Sequence, residues 1–228
     1  MYRALMSSLV LGLLFISTRP ADAALITVDP DAFIAGTDIS NSYSGVTLST
    51  VGGTFGASSS VYSINPQNPA FTGNALFPAS TPTLAFGNDA VGGGGPTGHI
   101  WTDYLSVAPL SLRADFTTPT DLVQLDFISN NGQDVGRMDA FNAANVLVGS
   151  YTTANLALPN FETMTITRVS PDIAYVIAGS LSLQTGGLDH LRFDAPVTAV
   201  PEPSGFHLAF LGLLAASGML FSRNRREQ

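Results

Sequence analysis

The chain has 228 residues, no cysteine and no lysine, and its 9 arginines face 17 acidic side chains for a formal charge of −8. No cysteine means no disulfide framework and no thiolate metal site. So few cations leave no phosphate-neutralising surface for a nucleic acid.

Residues 1–23 read as a secretory signal peptide. Arg3 gives the positive n-region, residues 9–16 the apolar h-region, and Ala21-Asp22-Ala23 the small-x-small cleavage site. Cleavage after Ala23 would start the mature chain at Ala24. An exported chain without cysteine gains nothing from an oxidising compartment, so its stability must come from an ordinary core.

Residues 24–199 have the length of one domain. Four arginines, Arg113, Arg137, Arg168 and Arg192, stand against fourteen acidic residues, so the formal charge is 4 − 14 = −10. Such a segment would repel nucleic acid and attract cations, calcium above all, whose ligands are carboxylates and carbonyls. Gly, Ser, Thr and Asn are abundant and helix formers such as Glu, Lys and Gln are scarce, which points to strands.

Val46 and Leu48 open a period-two pattern over 45–51. Residues 52–106 are rich in Gly, Ser, Pro and Asn and read mostly as long loops, with a short strand over 83–86. The glycine run 92–98 is not followed by lysine, so it is no phosphate loop. Directly after it come His99, Trp101, Asp103 and Tyr104. Trp101, Asp103 and Tyr104 form a candidate sugar platform, an aromatic face beside a carboxylate. The competing reading places Trp101 in the core, as large aromatics usually are.

Further alternating runs follow: Leu112, Ala114 and Phe116; Val123, Leu125 and Phe127; Met164 and Ile166; Ile173, Tyr175 and Ile177; Leu191 and Phe193. Asn131-Gly132 and Ala144-Asn145 mark tight turns. Asp121, Asp126, Asp134 and Asp139 would frame a calcium site with the carbonyls of 130–132, or else form a solvated acidic surface. Strands at this spacing, without helices between them, predict an all-β fold, an antiparallel sandwich. The runs Leu112-Arg-Ala-Asp-Phe, Val123-Gln-Leu-Asp-Phe-Ile and Gly187-Leu-Asp-His-Leu-Arg-Phe resemble galactose-binding-like jelly-roll sandwiches over about 110–195.

Catalytic patterns are wanting. No Gly-x-Ser-x-Gly elbow and no His-Glu-x-x-His pair occurs, and Glu162 is the lone glutamate of the segment. The sequence nominates no catalytic residue, and His190 reads as structural.

The end of the chain has three parts. Pro201-Glu202-Pro203 punctuates it, residues 205–221 form an uncharged apolar run, and Arg223, Arg225 and Arg226 close it. A helix over 205–221 would span roughly 25 Å, slightly under the bilayer core. The arginines would hold the terminus on the cytoplasmic side. This arrangement resembles the PEP-CTERM sorting signal of Gram-negative bacteria. The resemblance implies an exosortase-like membrane enzyme as partner, cleavage near Pro201-Glu202-Pro203, and release to the cell surface or extracellular matrix. The expected role is structural or adhesive, in exopolysaccharide or biofilm. A carbohydrate-binding module is the alternative and a secreted hydrolase the third reading.

Overall fold

The computed structural model describes residues 24–52, 59–64, 79–80, 83–89, 101, 110–129, 133–181 and 186–194. In chain order the strands are β1 (Leu25–Val28), β2 (Val46–Gly52), β3 (Val61–Ile64), β4 (Ala85–Asn88), β5 (Leu110–Thr120) and β6 (Leu122–Ser129). β7 (Gly136–Phe141), β8 (Leu147–Thr152), β9 (Phe161–Thr167), β10 (Ile173–Ser180) and β11 (Gly186–Asp194) follow among the described residues. A 3-10 turn, Pro30–Ala32, follows β1. Its Asp29 cap accepts from Asp31 N at 2.9 Å.

The strands form a four-stranded sheet, β1-β11-β6-β9, a five-stranded sheet, β2-β5-β10-β7-β8, and the hairpin β3-β4. The paired strands run antiparallel. The two larger sheets pack as a sandwich. Leu112, Ala114 and Phe116 come from one sheet, Val123, Leu125 and Phe127 from the other, and all lie in one buried cluster. Phe116 and Phe193 meet across the interface with ring centroids 4.9 Å apart. The antiparallel sandwich predicted from alternation is what these residues form.

Two runs depart from simple alternation. Ile173 lies in the core, but a register shift between Ile173 and Tyr175 reverses the phase. Val176 and Ala178 then point inward, and Tyr175 and Ile177 point to the outer face. Here five steps of β5 stand against two of β10, and an odd excess in one strand of a pair does this, because side chains alternate strictly on either side of it. A second shift lies between Asp189 and Arg192, with His190 at φ 52. It puts both Leu188 and Leu191 in the core.

The stretch 52–106 also differs from expectation. The strand predicted over 83–86 sits at β4, and it pairs with β3, which the composition did not reveal. The predicted turn at Ala144-Asn145 is present. The Asn142 side chain accepts from Ala144 N and Val146 N, and Asn145 takes φ 59. Asn131-Gly132 lies outside the described residues, as do the signal peptide with Ala21 and Ala23, and Pro201, Glu202, Pro203, Arg223, Arg225 and Arg226. Among the described residues no helix is long and apolar enough to cross a membrane. The helix expected over 205–221 lies outside them.

Candidate functional site

The outer face of the five-stranded sheet is built by register. Thr47 pairs with Asp115, Asp115 with Tyr175, Tyr175 with Phe141, and Phe141 with Leu147. This row crosses all five strands. At about 4.8 Å per strand it runs roughly 20 Å. A second row beside it contains Arg113, Ile177 and Asp139.

Tyr175 stands on the middle strand between two partners. The Phe141 ring is stacked on it at 4.9 Å and 11°. The Arg113 guanidinium lies over it at 3.8 Å from the ring centroid, a cation–π contact. Its hydroxyl donates to Asn145 Oδ1 at 3.1 Å. Arg113 in turn forks onto Asp115, with Nε to Oδ2 at 2.8 Å and Nη2 to Oδ1 at 2.6 Å. That bidentate pairing with Asp115 pushes the Arg113 guanidinium above its ordinary range, against the opposing effect of burial.

The stack keeps its rim open. The Arg113 and Asp115 side chains are 32% and 42% exposed, and Leu147 is 50% exposed. In the neighbouring row Asp139 is buried. It is bound by Arg137 Nε at 3.2 Å and by the Ser150 hydroxyl at 2.5 Å. Rigid planar groups, a forked ion pair and hydroxyls thus share one strip. Tyr175 itself is only 8% exposed, so what such a strip presents to the C–H face and hydroxyls of a sugar is Phe141, Arg113 and Asp115.

Sequence reasoning missed this site. The alternation in Leu112-Arg-Ala-Asp-Phe does place Arg113 and Asp115 on one outward face. Nothing local to 141 or 175 announces that Phe141 and Tyr175 meet, since their pairing is set by strand order and by the shift in β10.

The predicted site residues are placed elsewhere. Trp101 is wholly buried. Its Nε1 donates to Phe86 O at 3.1 Å, and its backbone bridges Gly186. The Ser180 hydroxyl donates to Trp101 O at 2.7 Å. The indole therefore offers no face to solvent, and the core reading applies. Asp103 and Tyr104 lie outside the described residues, as does His99.

The four aspartates expected to frame calcium do not converge. Asp126 is on the outer face of the four-stranded sheet and Asp139 on that of the five-stranded sheet, so the sandwich core lies between them. Asp134 pairs with Leu156 and accepts from the Ser129 hydroxyl at 3.2 Å. Asp121 lies between β5 and β6 and acts on Asp194. Nor are they a solvated surface, because Asp126, Asp134 and Asp139 are buried. Among the described residues no group of three or more acidic, histidine or cysteine side chains is arranged to hold a metal ion.

No protein-family model matches the chain. No curated protein matches it. Solved structures do, 13 chains in all. The K2 cleaved adhesin domain of Lys-gingipain is similar at TM-score 0.44 and 14% identity, over 75% of this chain and 100% of that one. The catalytic unit of a GH87 alpha-1,3-glucanase from Streptomyces thermodiastaticus is similar at 0.35 and 10%, over 82% and 29%. The family 11 carbohydrate-binding module of Lic26A-Cel5E from Clostridium thermocellum is similar at 0.29 and 9%, over 77% and 96%. At these scores the likenesses assign no function to this chain.

Proposed function

We propose that the mature domain is an adhesive, non-catalytic component of the cell surface or extracellular matrix. It holds neutral polysaccharide along the outer face of its five-stranded sheet. The Arg113–Tyr175–Phe141 stack supports this reading. The Phe141 ring and the Arg113 guanidinium, both held against the buried Tyr175, form a preorganised platform that loses little entropy on binding.

The charge balance narrows the ligand. Arg113 and Asp115 cancel within the strip, so a neutral glycan meets no net charge there. An acidic glycan meets a domain of formal charge −10, from 4 arginines and 14 acids. In this reading residues 1–23 export the chain. An exosortase-like enzyme recognises Pro201-Glu202-Pro203 and the tail, and the segment 205–221 holds the protein at the inner membrane until then.

The test is affinity electrophoresis of the protein, expressed from its full chain, through gels containing neutral or acidic polysaccharides. Phe141→Ala and Asp115→Ala should each weaken retention by neutral polymer about tenfold, which is about 1.4 kcal/mol. Unchanged retention in both variants, or retention by acidic polymers alone, rejects the assignment.

A further inference from the structure

The five-stranded sheet ends on β8, and among the described residues no strand pairs with its outer edge. An exposed edge strand pairs with other chains unless a charge, a proline or a bulge prevents it. β8 reads Leu147-Val-Gly-Ser-Tyr-Thr152 and holds neither charge nor proline, and no charged residue occurs from 140 to 161. A bulge is present, since one step of β7 from Ala140 to Phe141 stands against two of β8. It lies at the start of the strand and leaves residues 149–152 in regular register with β7.

The hydrogen bonds beyond the end of β8 show which groups face outward. Thr153 N donates to Gly136 O at 3.0 Å, and Gly136 N donates to Thr153 Oγ1 at 2.8 Å. Residues along an antiparallel pair alternate between bonding toward the partner and away from it. Tyr151 therefore bonds toward Met138, its register partner. Ser150 and Thr152 turn their N–H and C=O groups away from β7, and both residues are exposed.

The exposed apolar side chains have a matching layout. Among the described residues seven large ones are exposed, and four of them flank β8: Val146 and Leu147 at its start, Leu158 and Phe161 beyond its end. Glu162 ties the second pair to the end of β8. Its Oε1 accepts from the Tyr151 hydroxyl at 2.8 Å and its Oε2 from Ala154 N at 3.1 Å. Two β8 strands paired antiparallel lay the start of one against the end of the other. Val146 and Leu147 then meet Leu158 and Phe161 of the second copy, on both sides of a two-fold axis.

We propose that this edge joins two copies of the chain, β8 against β8, through the outward backbone groups of Ser150 and Thr152 and the apolar side chains at the two ends of the strand. A second copy is favoured over any other partner because the surface is complementary to itself. Two acidic domains repel each other, and an uncharged seam is where they can touch. The assembly closes at two, because the outer edge of β2 is occupied: Leu48 N donates to Ser40 O at 2.8 Å and Thr50 N to Ser59 O at 3.0 Å. The pairing merges two five-stranded sheets into one, with both outer faces on the same side. The row from Thr47 to Leu147 then continues into its counterpart, which doubles its length to roughly 40 Å. The dimer is independent of the glycan reading, and its test uses no glycan.

The experiment is sedimentation velocity together with hydrogen–deuterium exchange, on the protein expressed from its full chain. Dimerisation should fall in the micromolar range, because an edge contact belongs to the small, transient class of interfaces. It should tighten as salt screens the two acidic domains. The amides of Ser150 and Thr152 should exchange more slowly as protein concentration rises. Thr152→Glu sets like charges across the seam and should weaken the dimer at least tenfold. Val169→Glu adds the same charge at a fully exposed position between β9 and β10 and should leave the dimer intact. A monomer at every concentration up to about 1 mM overturns the proposal. So does a dimer that Val169→Glu weakens as much as Thr152→Glu. Exchange at Ser150 and Thr152 that ignores concentration overturns it as well, and that measurement decides even where Thr152→Glu fails to fold.

Discussion

Trp101 joins parts of the molecule that are far apart in sequence. Its indole N–H bonds β4, its backbone bridges the start of β11, and its carbonyl receives the hydroxyl of Ser180 at the end of β10. Trp101→Ala should cost about 3–5 kcal/mol, the range for emptying a large buried aromatic site, read by denaturant unfolding. Two carboxyl groups should show opposite pH behaviour. Burial, reinforced by the Asp121 carboxyl beside it, holds Asp194 above its ordinary 3.8. An acid raised in the fold favours the fold at low pH and loses that contribution as pH climbs from 3.8 through the higher folded value. Asp194→Asn should therefore raise the melting temperature at neutral pH by about 1–2 °C, allowing for solvent screening, and do nothing in strong acid. At Asp38 burial works upward, but hydrogen bonds from Ser40 and Ser60 outweigh it and hold the group below 3.8. Its contribution is present above 3.8 and lost as pH falls through the folded value. Asp38→Asn should lower the melting temperature at neutral pH and have no effect in strong acid. Paired melts at the two pH values check both signs. A difference of the same sign for both variants at neutral pH would contradict the account.

Among the elements, β6 depends on what its neighbours lack. A Cβ on Gly136 would sit 2.2 Å from Phe127 Cγ, and one on Gly186 would sit 2.3 Å from Phe127 Cε2 and Cζ. Phe127 is wholly buried, so it has nowhere to go. Gly136→Ala and Gly186→Ala should each destabilise by roughly 1–3 kcal/mol, the usual cost of overpacking. Phe127→Leu should suppress part of that cost. Full additivity in the double-mutant cycle would show that Phe127 is not the obstacle. The strands themselves were largely legible. β2, β5, β6, β9 and the end of β11 follow the period-two pattern, because one face of each is buried against the opposite sheet. β3 was not legible, since four residues between turn-rich segments carry too little pattern. Neither were the shifts in β10 and β11. The first sets two steps of β10 against five of β5 and the second three steps of β11 against two of β6, and only the partner strand identifies such an offset. The candidate site was hidden for the same reason, because Tyr175 reads as a core residue until the shift turns it outward.

At the scale of the whole molecule, the sorting reading has its own test. Deleting residues 205–228 should leave an unprocessed protein in the medium or periplasm instead of at the cell surface. Fractionation with immunoblotting and a mature-mass measurement would show it, and unchanged location and mass would remove the tail from the sorting step. That expectation comes from the sequence alone, as do the expectation of an export signal, the acidic charge and the antiparallel all-β class. Each of these rests on local order or on composition: an apolar run of a given length, a cluster of arginines, a two-residue period. Tertiary structure decided what depends on pairing between distant strands. It put Trp101 in the core and scattered four aspartates that lie close in sequence. It also brought Arg113, Tyr175 and Phe141 into one stack, and set β8 at the outer edge of its sheet. Composition and periodicity say which face of a strand a residue occupies; only register says which residue of another strand stands beside it.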